Sequence, residues 1–142
     1  MLLREIMRSP VVTVQLDDSL REVNTIFEAN VVHHVIVVDE DKLVGLVSER
    51  DFLRVISPYV FSHVYTTRDL ATLNQRVHQI VSRHPVCLPQ DATVQQAIDL
   101  FNGQRIDCIP VVDAQDIPVG MLTRSDILRH FQAICAETRA AL

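Results

Sequence analysis

Gly45-Leu46-Val47-Ser48-Glu49-Arg50-Asp51 recurs 75 residues later as Gly120-Met121-Leu122-Thr123-Arg124-Ser125-Asp126. Both stretches read alike: a strand carrying one glycine, then a Ser or Thr, then an Asp three residues on, where a helix begins. Leu53-Arg54 falls in the same way on Leu128-Arg129. Upstream, Val37-Val38-Asp39 lies over Val111-Val112-Asp113 at an offset of 74, the difference being Pro118, inserted in the second copy. At that offset Phe27 faces Phe101, Ser19 faces Thr93, Asp17 faces Asp91 and Val12 faces Val86. Ile6-Met7-Arg8-Ser9-Pro10 runs over Ile80-Val81-Ser82-Arg83-His84. Agreement over this length is a duplication, and a duplicated chain is two copies of one supersecondary unit.

Each copy has the same internal grammar. Ser19-x-x-Glu22 and Thr93-x-x-Gln96 are capping boxes, and Val94, Ala97, Ile98 and Phe101 behind the second form one helix face. Leu20, Val23 and Phe27 do the same in the first copy. Val35-Ile36-Val37-Val38 and Ile109-Pro110-Val111-Val112 are short apolar, largely β-branched runs that read as buried strands. Polar turns follow, at Asp39 to Lys42 and Asp113 to Asp116, and then second strands that pass straight into helices. With a short strand around Val12 to Val14 and Val86 to Leu88, the unit is βαββα and the fold class α/β (α+β). Ser57 to Thr67 reads as a loop. Leu70, Leu73, Val77 and Ile80 predict a helix over 68–80 that delivers the chain into the second unit, as Leu2 to Met7 does for the first. The expected organisation is unit 1 over 1–57, a loop and linker helix over 58–76, unit 2 over 77–131, and a helical tail over 132–142 that extends the last helix.

Composition limits the function. Nearly half of the 142 residues are hydrophobic and the formal charge is −5, with Lys42 the single lysine and the arginines scattered. That describes a folded domain without the clustered cations that a nucleic-acid surface demands. No apolar run approaches the roughly 20 residues needed to span a bilayer, and the first residues do not form a signal peptide. Cys87, Cys108 and Cys135 have no CxxC spacing and read as buried thiols of a reducing, cytoplasmic compartment. Walker loops, Gly-x-Ser-x-Gly, His-Glu-x-x-His and Gly-rich dinucleotide turns are all absent from the sequence, so an intrinsic enzyme is not expected.

The junctions carry the chemistry. Ser48-x-x-Asp51 and Thr123-x-x-Asp126 are helix N-cap signatures, and the same geometry gathers free N–H groups where an anion can bind. A Ser or Thr hydroxyl can reach a phosphate oxygen, and a carboxylate can accept from both hydroxyls of a ribose. Capping and binding are compatible readings. His33 and His34 can donate to phosphate, or can simply flank a strand.

The duplication, the two hydrophobic-Gly-hydrophobic-hydrophobic-Ser/Thr-x-x-Asp junctions and the Asp113-ended strand resemble tandem CBS domains, a Bateman module, over residues 2–131. The resemblance implies two units packed sheet to sheet about a pseudo-twofold axis, with clefts for AMP, ADP, ATP or S-adenosylmethionine. It assigns the ribose to the Asp, the phosphate to the Ser/Thr and the adenine to backbone beside the first hairpin strand. Val32 to Asp39 is also similar to a stretch in the regulatory γ subunits of AMP-activated protein kinase, where a His followed by a basic residue contributes to phosphate binding. The implied ligand residues are Thr13, His33, His34, Val35, Ser48, Arg50 and Asp51 from the first copy. The second copy contributes Ile109, Pro110, Thr123, Arg124 and Asp126. Asp107 and Cys108 replace the two histidines there, and Cys87 replaces Thr13, so the two clefts are not equivalent and the first is expected to be the better one. A metal site is not expected.

Two functions follow from the resemblance. One is a sensor that binds an adenine-containing small molecule and reports to a separate effector protein. The other is a non-catalytic dimerisation or docking scaffold with vestigial clefts. A homodimer through the helices Asp51 to Ile56 and Asp126 to Phe131 fits either, and neither involves nucleic acid or a membrane.

Overall fold

A strand, a crossover helix and a tight hairpin build the region Val12–His84 in the computed structural model, which describes residues 1–141. β1 (Thr13–Gln15) leads to α1 (Leu20–Ala29), β2 (His34–Asp39), β3 (Lys42–Ser48) and α2 (Glu49–Val55). β1 is parallel to β2, with Thr13 opposite Ile36, and a parallel pair needs such a crossover. β2 and β3 are antiparallel, with His34 opposite Ser48. Glu40 and Asp41 take φ of 48° and 66° in their turn, the conformation that matches strand twist in two-residue hairpins. Leu20 and Val23 on α1 are fully buried, and Phe27 meets Phe52 of α2 with ring centroids 5.5 Å apart. Val35, Val37 and Val47 complete this core from the sheet.

Two expectations fail in this region. Ser19 stands at the N-cap of α1, but its side chain makes no capping hydrogen bond. The Glu22 carboxyl lies instead against Asp18, whose hydrogen bond raises its pKa above the ordinary value. The single helix expected over 68–80 is three short pieces: α3 (Thr67–Ala71) and 3-10 turns at Thr72–Asn74 and Val77–Gln79. The break at Gln75 and Arg76 is extended because their neighbours serve another segment. Leu20 N–H donates to the Gln75 carbonyl, while Val77 and His78 N–H donate to Asp18 and Leu16. The 57–67 stretch is irregular apart from a 3-10 turn at Pro58–Phe61 and Thr67, which begins α3.

β4 (Ser82–Arg83) completes the four-stranded sheet, in the order β1-β2-β3-β4. The chain then repeats the plan with β5 (Leu88–Pro89), α4 (Val94–Gly103), β6 (Cys108–Val112), β7 (Pro118–Thr123) and α5 (Arg124–Arg129). Thr93 and Gln96 form the expected capping box, with Thr93 N–H donating to Gln96 Oε1 at 2.8 Å. The tail does not prolong α5. The helix stops at His130 and a separate α6 (Phe131–Ala140) follows, and Leu142 of the expected tail lies outside the described residues. Among the described residues no helix is long and apolar enough to cross a membrane. Of the cysteines expected to be buried, Cys108 is buried, Cys135 is half-buried and Cys87 is exposed, as is Thr13 at the matching position.

The lead-in segments belong to the opposite copies from those expected. Met1–Val11 joins Pro85–Leu142 in one compact unit, and Val12–His84 is the other. Leu3 N–H donates to Ala92, Val94 N–H to Met1, and Arg8 exchanges both backbone hydrogen bonds with Met121 at 2.9 and 3.0 Å. In the other unit Ser82 pairs with Leu46 and Arg83 with Gly45. The pairs are repeat equivalents: Ser82 matches Arg8 and Leu46 matches Met121. The shared glycine has its explanation here. A Cβ on Gly45 would run into Val81 Cγ2 and stand 2.8 Å from the Ser82 carbonyl oxygen; one on Gly120 would meet Met7 and stand 3.1 Å from the Arg8 carbonyl oxygen.

Gly45→Ala should therefore lower stability by about 1–3 kcal/mol, the usual range for overpacking, because a stiff valine and a backbone carbonyl must both move. Gly120→Ala should cost less, since most of its obstruction is the flexible Met7 side chain. Urea denaturation of both variants measures the order, and equal midpoints would contradict it.

Candidate functional site

The register gathers the first-copy candidates at one end of their sheet. Thr13 begins β1, His34 begins β2 and Ser48 ends β3 opposite His34. Ser48 caps α2 by accepting from the Asp51 N–H at 3.1 Å. Asp51 does not turn back onto the Ser48 backbone to close a capping box. Its carboxylate retains 36% side-chain exposure, with Arg54 Nη1 at 3.9 Å. Thr13 and Arg50 are exposed. The site presents a hydroxyl pair, a histidine and an accessible carboxylate.

Asp126 has the same place in the repeat and a different state. Among the described residues it is the one buried charged side chain, with no exposed surface. Arg8 Nε donates to Oδ1 at 2.9 Å and Arg129 Nη1 to the same oxygen at 2.8 Å. Oδ2 accepts from the Thr123 N–H at 2.8 Å and its hydroxyl at 3.0 Å. Burial alone would raise this carboxyl; the Arg8 hydrogen bond, then Thr123 and Arg129, outweigh it and hold the pKa below the ordinary Asp value. The His130 ring lies 2.9 Å from the Asp126 carbonyl oxygen through Nδ1, which must carry the proton because a carbonyl only accepts.

A second difference flanks the junctions. His33 Nδ1 stands 3.3 Å from Glu49 Oε2, and Glu49 N–H donates to the His33 carbonyl at 2.8 Å. The matching pair in the other unit is Asp107 and Arg124, 3.8 Å apart, with the acidic residue now before the strand and the basic one on the helix. Arg124 also donates to the Phe101 carbonyl at 3.2 Å and lies over the Phe101 ring, 5.7 Å from its centre. It is committed to Phe101 on α4 and to Asp107, just before β6. Glu49 places a negative charge beside His33, which works against a polyphosphate there and not against a nucleoside.

Not every candidate presents its side chain. Val35 and Ile109 are core residues and Pro110 is buried, so they can offer a ligand backbone atoms only. Cys108, at the position of His34, is buried, and burial with help from Asp126 and Asp107 pushes its thiol up to about 12. Among the described residues no group of three His, Cys, Asp or Glu is placed to hold a metal ion. Arg8 and Glu49 were not anticipated. Arg8 lies outside the junction motif, and only its alignment with Ser82 sets it apart. Glu49 occupied an unspecified position of Ser-x-x-Asp.

The CBS domain family matches this chain twice, at residues 3–58 and 77–133. A CBS domain-containing protein of Dictyostelium discoideum is 30% identical over 129 residues, which cover 89% of this chain and 88% of that protein. Inosine-5'-monophosphate dehydrogenase of Methanocaldococcus jannaschii is 27% identical over 127 residues, but these are 89% of this chain and 23% of the enzyme. The chain thus spans under a quarter of that relative's length. Among solved structures, a CBS domain pair in complex with 5'-methylthioadenosine and S-adenosyl-L-methionine is similar with a TM-score of 0.75 at 25% identity, over 94% of this chain and 97% of that one.

A carboxyl held below the ordinary Asp value of about 3.9 contributes stability that is present above that pH and lost as pH falls through the lower folded-state value. Asp126→Asn should lower stability at neutral pH by about 1.5–3 kcal/mol, the range for hydrogen bonds to charged groups, because the Arg8 and Arg129 partners keep part of their surface in solvent. It should also flatten the decline in stability below about pH 4. Urea titrations across pH measure both, and an unchanged acid limb would count against this role for Asp126.

Proposed function

The chain belongs to the CBS domain family, and on that premise we propose that it is a regulatory module binding one adenine-containing ligand at Ser48 and Asp51. AMP, ADP, ATP and S-adenosylmethionine are the candidate ligands. The observation that carries the proposal is the Asp51 carboxylate, held at a strand–helix junction by the Ser48 cap while part of it faces solvent. A carboxylate so placed can accept from both hydroxyls of a ribose, with Ser48, Thr13 and His34 at the same end of the sheet to meet the remaining polar atoms. The similar CBS pair crystallised with two adenosyl compounds supports the ligand class. Thr123, Arg124 and Asp126 form the weaker site, in keeping with the internal pairing of Asp126.

The module regulates by binding one of two conformations better than the other, since a ligand shifts an equilibrium only by that difference. A separate effector protein reads the outcome. The partial overlap with inosine-5'-monophosphate dehydrogenase gives no ground for carrying its activity over, and the reading is of a non-enzyme. A homodimer is part of the proposal because Leu53 and Leu128, matched residues of α2 and α5, are 50% and 73% exposed. The same leucines favour the second reading, a docking scaffold without a ligand. A reducing, cytoplasmic setting suits the three free cysteines.

Thermal denaturation with each of the four compounds decides between the two readings. A ligand at a hundred times its dissociation constant adds about 2.7 kcal/mol, a rise of several degrees for a chain of this size. Asp51→Ala should abolish the rise and leave the unliganded melting temperature close to the wild type. No rise with any of the four at millimolar concentration would refute the sensor reading and leave the scaffold.

A further inference from the structure

The exchanged lead-in segments carry different side chains at one matched position. Arg8 bridges to Met121 and Ser82 pairs with Leu46, and these are repeat equivalents. From that position the Arg8 guanidinium reaches Asp126, while Ser82 ends in a hydroxyl one carbon from the backbone. An ionised carboxylate has about four lone-pair sites. At Asp126 four donors occupy them: Arg8 and Arg129 on Oδ1, the Thr123 N–H and hydroxyl on Oδ2. A neutral sugar hydroxyl would have to displace a charge-assisted hydrogen bond and put a weaker neutral one in its place, which is unfavourable. Asp51, by contrast, faces solvent with Arg54 at 3.9 Å.

We propose that the residue at this lead-in position decides whether each junction takes a ligand: Arg8 acts as an internal cation that closes the Asp126 site, and Ser82 leaves the Asp51 site open. The closure works by saturating the acceptor, so one side chain on the exchanged segment switches it. The ligand half of this inference rests on the ribose-holding role proposed above for the junction Asp. The pairing half does not. Arg8 is therefore a specificity-determining residue that acts through Asp126.

Exchanging the two residues singly tests it. In isothermal titration with AMP and with S-adenosylmethionine, the wild type should take one ligand per chain. Ser82→Arg should weaken binding at least tenfold, and Arg8→Ser should add a second site. Wild-type affinity in Ser82→Arg would overturn the proposal, as would a wild type binding two ligands per chain with Asp126→Ala removing one. If Arg8→Ser does not fold, Ser82→Arg carries the test alone. A ligand-free cycle keeps the two inferences apart: melting temperatures of Ser82→Arg, Asp51→Ala and the double variant. Non-additivity with Ser82→Arg stabilising only when Asp51 is present supports the pairing, and additivity overturns it. Pairing in the cycle with a wild type that binds neither compound would refute the ligand reading alone.

Discussion

Each sheet depends on a backbone pairing with a segment that precedes the other copy of the repeat. Arg8 with Met121, and Ser82 with Leu46, supply hydrogen bonds to the outer side of β7 and β3, which otherwise end their sheets with unpaired N–H and carbonyl groups. That contact requires the backbones to approach closely, and a β-carbon at Gly45 or Gly120 would obstruct it. The glycine of the repeated junction thus serves the neighbouring strand. The Ser/Thr and Asp that follow serve the start of the helix.

The two junctions show how little a shared motif settles by itself. Ser48 and Thr123 both cap their helices by accepting from the N–H of the Asp three residues on. At Thr123 the Asp side chain also folds back to the strand end, where two arginines complete its acceptors. At Ser48 it does not, and the carboxylate stays accessible. One is a buried carboxylate whose acceptors are filled by two partly exposed arginines and its own helix cap. The other has the freedom a binding group needs.

Much of this was legible in advance. The duplication, the βαββα order, both hairpins and the Thr93 capping box all follow from period and turn chemistry, which are local. Asp107, Cys108 and Cys87, standing where His33, His34 and Thr13 stand in the first copy, led to an expected difference between the junctions, but the pairing of Asp126 with Arg8 and Arg129 was not part of it. What misled was local pattern whose partners are distant. Leu70, Leu73, Val77 and Ile80 have helical spacing, yet the backbone around Gln75 and Arg76 breaks to hydrogen-bond residues 16–20. Ser19 and Glu22 have capping spacing, yet Glu22 turns to Asp18.

By itself the sequence determined that this chain is two copies of a CBS unit and where each junction lies, because repeats and helix caps are written in neighbouring residues. Only the tertiary structure decided which copy each lead-in segment completes, and with it which Asp is spent. Arg8 and Asp126 are 118 residues apart, and no spacing rule reaches that far. Burial and a guanidinium brought by the exchanged segment turn one of two identically placed carboxylates into a structural anchor, and the other remains open.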